Sequence, residues 1–375
     1  MKIIFVIAGN IGDSAMSNRL FLASYLAKEG VKTYLILDDF QSNKNWVKLN
    51  FPNSENVYYL SNNSIIGYFK TISKLFDNLK PDYVHLIAAG LKNVLLLSLR
   101  KSSTTKYIID LDELKFTQSM ELTAWWKKKL YLFLEQQALK SSNIVIGVSQ
   151  FMIDYFTTQK SVNQYFYLPY AYEPSLFESL KFEQKAHEIR KQYSGKKILV
   201  YMGNFYSRND SFKVLELTKK MENYRQEIVF LILGGGPELE SKKQWVKDNG
   251  LDDFVFMLGY VMPNELANSY LKAADVLLFP IEDSPKNKAR CPNKIFQYIA
   301  VNRPIVTNRV GEVEHNLGSH GYYFDFDNFN SFEEMIFKAL DESELYDVPQ
   351  LSKIHSWEKR ASDYYEYLLD NLTQE

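Results

Sequence analysis

Cysteine is nearly missing from this 375-residue chain. The single Cys291 excludes an internal disulfide framework and suits a reducing compartment. An excess of charge is missing too. The 44 Lys and Arg meet 45 Asp and Glu, and a net charge of −1 leaves no global field to draw nucleic acid. No apolar run approaches the ~18 residues that a membrane span needs. The longest candidate, Val94–Leu99, is flanked by Lys92 and Arg100. The start, Met1 to Gly9, is briefly apolar but passes into Gly9-Asn10-Ile11-Gly12-Asp13 with no small-residue cleavage site. It reads as a buried first strand rather than a secretory signal. Histidine is scarce. His85, His187, His315, His320 and His355 show no metal-ligand spacing beyond the His315/His320 pair, and no cysteine pair joins them.

What is present is the composition of a globular protein, 46% apolar and 24% charged. At ~100–200 residues per domain the length predicts two or three domains. Lys2–Ala8 reads as a parallel strand buried on both faces. Ser14–Lys28 has helical periodicity, Gly30 ends it, and Val31–Leu37 reads as the next strand. Strand and helix continue to alternate to Pro169, and residues 173–195 are polar and read as a link with a helical piece. A second alternating set runs from Lys197 to Leu340, and a last helix covers Ser356–Leu372. The expected fold is α/β, with two Rossmann-like doubly wound domains facing a cleft, ligands lying beyond the carboxyl ends of the strands. The expected boundaries are 1–172 for the first domain, 173–195 for the linker and 196–350 for the second domain. A helix at 356–373 is expected to cross back to the first.

The most informative stretch is Arg290-Cys291-Pro292-Asn293-Lys294-Ile295-Phe296-Gln297-Tyr298. Pro292 suits a first helical turn, where its missing N–H costs nothing. The N–H groups of Asn293 and Lys294 then point out of the helix start, where a diphosphate is favoured. Lys294 and Gln297, three apart, share a face. A surface helix with one solvated lysine accounts for the same spacing.

The stretch PNKIFQYIAVNRPIV resembles the donor-binding motif of the family-four retaining glycosyltransferases of the GT-B fold, the glycosyl transferases group 1. Other segments agree in order. YMGNF at 201–205 with Arg208 resembles the family's strand, glycine and phosphate-binding basic residue, and LILGGGPELE at 231–240 its Gly-Pro turn. FVFMLGYVMPNELANSYLKAADVLLFP at 254–280, VGEVEHNLGSHG at 310–321, IVIGVSQFM at 144–152 and YLPYAYEPSLF at 167–177 resemble further family segments. The resemblance covers nearly the whole chain and is strongest from 197 to 325.

It implies a metal-independent retaining transfer of a sugar from a nucleotide donor, such as a UDP- or GDP-sugar, to a glycan or lipid-linked acceptor. The implied setting is surface polysaccharide biosynthesis, in the cytoplasm and at the inner face of the membrane, with no cofactor. It implies donor contacts from Gly12, Gly203, Asn204, Arg208, Gly235, Pro237, Asn293, Lys294 and Gln297. Arg208 and Lys294 would stabilise the departing diphosphate, and Asp112 or Glu113 would take or position the acceptor proton. The sequence departs from the family in the first domain, where Asp110-Leu111-Asp112-Glu113 stands in place of a strand-end histidine, at Arg208-Asn209, which stands in place of Lys-Gly, and at a paired motif. Ala289 stands where the first glutamate of a paired motif belongs, and Gln297 where the second does. Glu282 or Asp283 are candidate stand-ins. Two other readings follow: a catalytically impaired nucleotide-sugar-binding subunit, and a nucleotide-sugar 2-epimerase-like isomerase.

Four weaker signals remain. Asp110-Leu111-Asp112 and Asp325-Phe326-Asp327 match a short acid-x-acid metal pattern that recurs by chance. Asp38 and Asp39 occupy the place of a ribose-binding acid, but Gly9-Asn10-Ile11-Gly12 lacks the three-glycine dinucleotide fingerprint. His85 reads as a satisfied structural histidine. Finally, Trp125, Trp126, Lys127, Lys128 and Lys129, followed by Leu130 and Phe133, have the composition of an interfacial membrane helix. A helix with one buried aromatic face and a solvated basic patch reads the same way.

Overall fold

The computed structural model describes residues 1–7, 9, 11, 16–61, 65–88, 90–99, 104–112, 114, 124–158, 164–178, 180–206, 211–262, 264–344 and 346–373. The chain divides into two compact units. The first holds Met1–Ala171, Lys288–Cys291 and Trp357–Glu375, and the second Tyr172–Asn287 and Pro292–Ser356.

The first unit is built on a sheet of seven strands: β1 Lys2–Ile7, β2 Lys32–Asp38, β3 Val57–Leu60, β4 Tyr83–Ile87, β5 Lys106–Leu111, β6 Ile144–Gly147 and β7 Gln164–Tyr167. The order is β3-β2-β1-β4-β5-β6-β7 and every pair is parallel. The central strands are mostly apolar because helices cover both faces of such a sheet; in β4 all five residues are buried, His85 among them. The order reverses between β1 and β4, the crevice where doubly wound sheets hold ligands.

The second unit has six strands: β8 Lys197–Met202, β9 Ile228–Leu233, β10 Val255–Gly259, β11 Val276–Phe279, β12 Ile305–Thr307 and β13 Tyr322–Tyr323. The order is β10-β9-β8-β11-β12-β13, again wholly parallel. β9 is buried at all six positions. Its Phe230 and Ile232 join Leu199, Val214, Leu217, Phe332 and Ile336 in one core.

The polar stretch 173–195 is structured. Helix Leu180–Gln192 packs on helix Asn264–Ala273 within the second unit. Arg190 reaches Asp275 at 3.2 Å, and Ser269 donates to the Phe182 carbonyl. Its polarity is that of an amphipathic helix, with Phe182, Ala186 and Ile189 turned inward. Strand β3 and helices Gln41–Asn50 and Leu91–Leu99 also lie beyond the coarse strand-and-helix pattern of the sequence.

Helix Trp357–Thr373 packs against helix Met16–Lys28 in the first unit. The reason is a buried polar network. Arg19, Asp110, His85 and Tyr364 are each no more than 1% exposed. Arg19 Nε lies 2.9 Å from Asp110 Oδ2, and its Nη2 donates both to Asp110 Oδ1 at 3.1 Å and to the Leu168 carbonyl at 2.6 Å. His85 Nε2 is 3.1 Å from Asp110 Oδ2, and Nδ1 is 2.7 Å from the Tyr364 hydroxyl. A carboxylate only accepts, so Nε2 carries the proton and Nδ1 accepts from Tyr364. His85 is thus a satisfied structural histidine. Asp110 is committed to an ion pair and is not half of an exposed acid-x-acid metal pair.

Candidate active site

The second unit gathers three loops at the carboxyl ends of β8, β9 and β10. Gly203 N–H donates to the Leu233 carbonyl at 2.9 Å, and Gly234 N–H to the Gly259 carbonyl at 2.8 Å. Phe205 N–H donates to the Gly235 carbonyl at 2.9 Å, and Glu238 N–H returns to the Phe205 carbonyl at 3.2 Å. So close an approach needs missing side chains. A Cβ on Gly234, whose φ is +140°, would stand 1.6 Å from the Gly203 oxygen. One on Gly236, φ +148°, would stand 2.4 Å from the Phe205 oxygen. The Gly-Gly-Gly-Pro turn therefore exists to let two backbones touch.

Helix Asn293–Ala300, with Pro292 at its N-cap, meets the end of β8. Lys294 Nζ donates to the Met202 carbonyl at 2.9 Å. The same ammonium lies 4.6 Å from the Phe279 ring centre and 5.1 Å from that of Tyr201. One turn on, the buried Tyr298 hydroxyl accepts from Met202 N–H at 2.9 Å and donates to the Leu278 carbonyl at 3.3 Å. Burial pushes the Tyr298 phenol far above its ordinary pKa, so it stays a neutral donor. Lys294 and Tyr298, four apart on one face, pin the helix to the sheet. The lysine is half-buried beside two rings, and its charge sits where the strand carbonyls end.

Gln297 shares the helix but turns elsewhere. Its Nε2 is 3.5 Å from Asn268 Oδ1 on helix Asn264–Ala273. Asn268 is fully buried, and its Nδ2 has no hydrogen-bond partner among the described residues; the same holds for Asn293 Oδ1. Both are polar atoms able to bind a ligand hydroxyl.

The structure brings Gly203, Gly235 and Lys294 together through backbone and side-chain contacts around β8; Asn293 precedes Lys294 at the helix start, and Gln297 turns to Asn268. Asn204 and Pro237 are exposed on the same loops. Arg208, Glu113 and Gly12 lie outside the described residues. Asp112 follows β5 in the first unit. Its charge and burial together raise the phenol of Tyr170, whose hydroxyl is buried without a hydrogen-bond partner among the described residues. Ala289 is buried, and its carbonyl accepts from Ser149 Oγ at 2.9 Å, so the position offers only a methyl group. Glu282 and Asp283 are exposed. Asp38 accepts the Gly9 N–H at 2.8 Å and is therefore engaged in shaping the first turn. Among the described residues, no group of three or more His, Cys, Asp or Glu side chains is placed to hold a metal.

Sequence reasoning missed Tyr298 and Asn268. The signal for Asn268 was its place between Ala267 and Leu271 on the buried side of its helix, where a polar side chain needs a purpose. Tyr298 was marked only by its spacing of four from Lys294.

Residues 196–342 match the family model described as glycosyl transferases group 1. A comparison with curated proteins found no match. Among solved structures, Anabaena HepE in complex with UDP is similar over 99% of this chain and 100% of its own, with 12% identity and a TM-score of 0.73. Sucrose-phosphate synthase from Thermosynechococcus elongatus is similar over 100% of both chains, with 15% identity and a TM-score of 0.73. A glycosyltransferase from Rickettsia africae covers 100% of this chain and 99% of its own, with 13% identity and the same TM-score of 0.73. Identities this low carry the fold alone: the chain has the GT-B fold, and within it residues 196–342 match the glycosyl transferases group 1 family.

Proposed function

We propose that the chain is a retaining, metal-independent glycosyltransferase that moves a sugar from a nucleotide-sugar to a glycan or lipid-linked acceptor in surface polysaccharide assembly. The observation that carries the reading is Lys294, held at the carboxyl end of β8 beside the Gly203 and Gly235 loops. In the transfer, the bond between the anomeric carbon and the diphosphate breaks, and the nucleotide leaves with the electron pair. The acceptor oxygen bonds to that carbon and gives up its proton. A fixed ammonium beside two rings, partly screened from water, stabilises the charge that grows on the diphosphate. Arg208, Asn204, Pro237 and Gly12 are the further donor contacts of this reading. Asp112, with Glu113 next to it, is the acid assigned to the acceptor proton. A UDP-sugar is the first donor to try, because HepE, similar in fold, has been solved with UDP and with UDP-glucose.

The test is thermal unfolding against a panel of UDP-, GDP- and ADP-sugars. A ligand at ~100 times its dissociation constant adds ~2.7 kcal/mol by mass action. One nucleotide should raise the melting temperature selectively, and Lys294→Ala should lose that rise, measured against the variant's own ligand-free melting temperature. No rise with any nucleotide sinks the donor site.

A second reading, a nucleotide-sugar-binding subunit without turnover, is favoured by the buried methyl of Ala289 and by Gln297, which is uncharged and turned to Asn268. It expects the nucleotide-dependent rise without sugar release or transfer to any acceptor. For an isomerase, sugar rearrangement without acceptor would be the sign.

The helix Trp125–Ser141 supports a peripheral membrane role. Trp126, Leu130 and Phe133, at spacings of four and three, share one exposed stripe, beside the face that buries Leu134 and Ala138. Lys127 and Lys129 lie over the Trp126 and Trp125 rings at 5.4 and 5.0 Å. Aromatics at headgroup depth with lysines among anionic lipid suit a lipid-linked acceptor. No described helix is long and apolar enough to cross a membrane.

A further inference from the structure

At the far edge of the second sheet, strand β13 borders a groove of about 550 Å³. Three tyrosines wall it, and each is held by its own hydroxyl. Tyr322 donates to Glu342 at 2.7 Å, Tyr323 to the Gly318 carbonyl at 2.7 Å, and Tyr346 to the His320 carbonyl at 3.3 Å. The rings of Tyr322 and Tyr346 are 6.3 Å apart and inclined at 41°. The Arg309 guanidinium lies 4.0 Å from the Tyr323 ring centre. Burial pushes the Tyr323 phenol up to about 12, so it remains a neutral, donating hydroxyl. The tyrosine faces are therefore fixed before any ligand arrives, and little rotamer entropy is lost on binding.

The charges decide the class of ligand. Arg309 and Lys338 line the groove, but so do Glu342 and Asp347, two cations against two carboxylates. Arg309 is further committed to Glu314 at 2.9 Å. A phosphate or nucleotide needs a surplus of cations, and this lining has none. Fixed aromatic faces ringed by paired donors and acceptors match a neutral, polyhydroxylated ring, with apolar C–H faces for the tyrosines and hydroxyls for the rim. The groove is separate from the donor loops. Strands β11 and β12 stand between β13 and β8, an offset of about 14 Å across the sheet at ~4.8 Å per strand.

We propose that this groove is a second saccharide-binding site, taking a neutral oligosaccharide away from the donor loops. Such a site would hold a glycan on the enzyme between transfers, and it stands whether or not the donor reading does.

The experiment is saturation-transfer NMR on the full chain with maltohexaose, cellohexaose and a galactohexaose, each with and without excess UDP. At least one should receive saturation, and excess UDP should not displace it. Tyr346→Ala should weaken its binding about tenfold, the loss of one aromatic face. If that variant unfolds, Ser319→Trp, which fills the groove from an exposed position without removing a contact, should block binding while melting like the parent. Saturation of none of the three sugars overturns the proposal. So does binding that survives both variants, displacement by UDP, or inorganic phosphate taking the groove in place of sugar. Failure of the donor reading is seen separately, as the absence of nucleotide-dependent stabilisation.

Discussion

Lys294 is aimed by its partners. The Met202 carbonyl and the Phe279 and Tyr201 rings fix an ammonium that on an open helix would sweep through solvent. The same economy of space governs Gly234. Gly234→Ala places a methyl inside the Gly203 oxygen, so the two loops must part. We expect a loss of about 2–4 kcal/mol in chemical denaturation, together with loss of nucleotide-dependent stabilisation; a variant as stable as the parent would refute the loop contact. Asp110 gives a second residue-level prediction. Burial alone would raise its carboxyl, but the Arg19 charge and the His85 hydrogen bond outweigh it and hold it below the usual range. Asp110→Asn leaves Arg19 buried and unpaired and should cost about 3–5 kcal/mol. His85 is lowered chiefly by burial, against the pull of Asp110, and it stays neutral because Arg19 already balances that carboxylate. The unfolded chain therefore takes up a proton below about pH 6.5 that the folded chain refuses, and stability falls as pH drops from there. The Asp110 contribution is present above its unfolded pKa, near ~4, and disappears in stronger acid, as pH falls through the lowered folded value. Urea midpoints should decline between about pH 7 and about pH 5, and His85→Gln should flatten that decline. An equal slope in the variant would remove His85 from the account.

Among the elements, the last helix and the tryptophan helix behave differently. Helix Trp357–Thr373 is bound by its polar groups as well as its packing. Tyr83 donates to the Leu368 carbonyl at 2.8 Å, Lys106 to the Asn371 carbonyl at 2.6 Å, and Tyr367 stacks on Phe166 at 4.2 Å. Deleting 357–375 should expose the first unit to limited proteolysis at neutral pH. Protection equal to that of the full chain would show the helix to be dispensable. In helix Trp125–Ser141 the apolar stripe has no cover among the described residues. Replacing Trp126, Leu130 and Phe133 together by Ser should abolish flotation with vesicles containing a third anionic lipid, leaving the melting temperature unchanged. Parent protein that fails to float with those vesicles would retire the membrane role.

For the whole molecule, two parallel sheets built by one alternating pattern set the frame in which the Gly203 and Gly235 loops stand. If Lys294 and backbone amides supply the positive charge that the leaving diphosphate needs, turnover should survive excess EDTA once donor and acceptor are identified. Loss of turnover restored by a divalent cation would replace that account with a metal-assisted one. The strands other than the edge strands β3 and β13, the two alternating sets and the Pro292-Asn293-Lys294 helix start were legible in the sequence, because burial on both faces forces continuous apolar runs and a helix start has a local signature. The crowding at Gly234-Gly235-Gly236-Pro237 was not: the sequence marked a glycine-proline turn, and only the fold set it against the Gly203 and Phe205 oxygens. The partners of Asp110, Lys294 and Gln297 were not legible. Arg19 and Asp110 are 91 positions apart, and Lys294 and Met202 are 92 apart. Local periodicity says which way a side chain faces but not what meets it there. Strand order and packing decided that Asp110 is an ion-pair anchor, that Gln297 turns to Asn268, and that Tyr346 joins Tyr322 and Tyr323 of β13 in walling one groove.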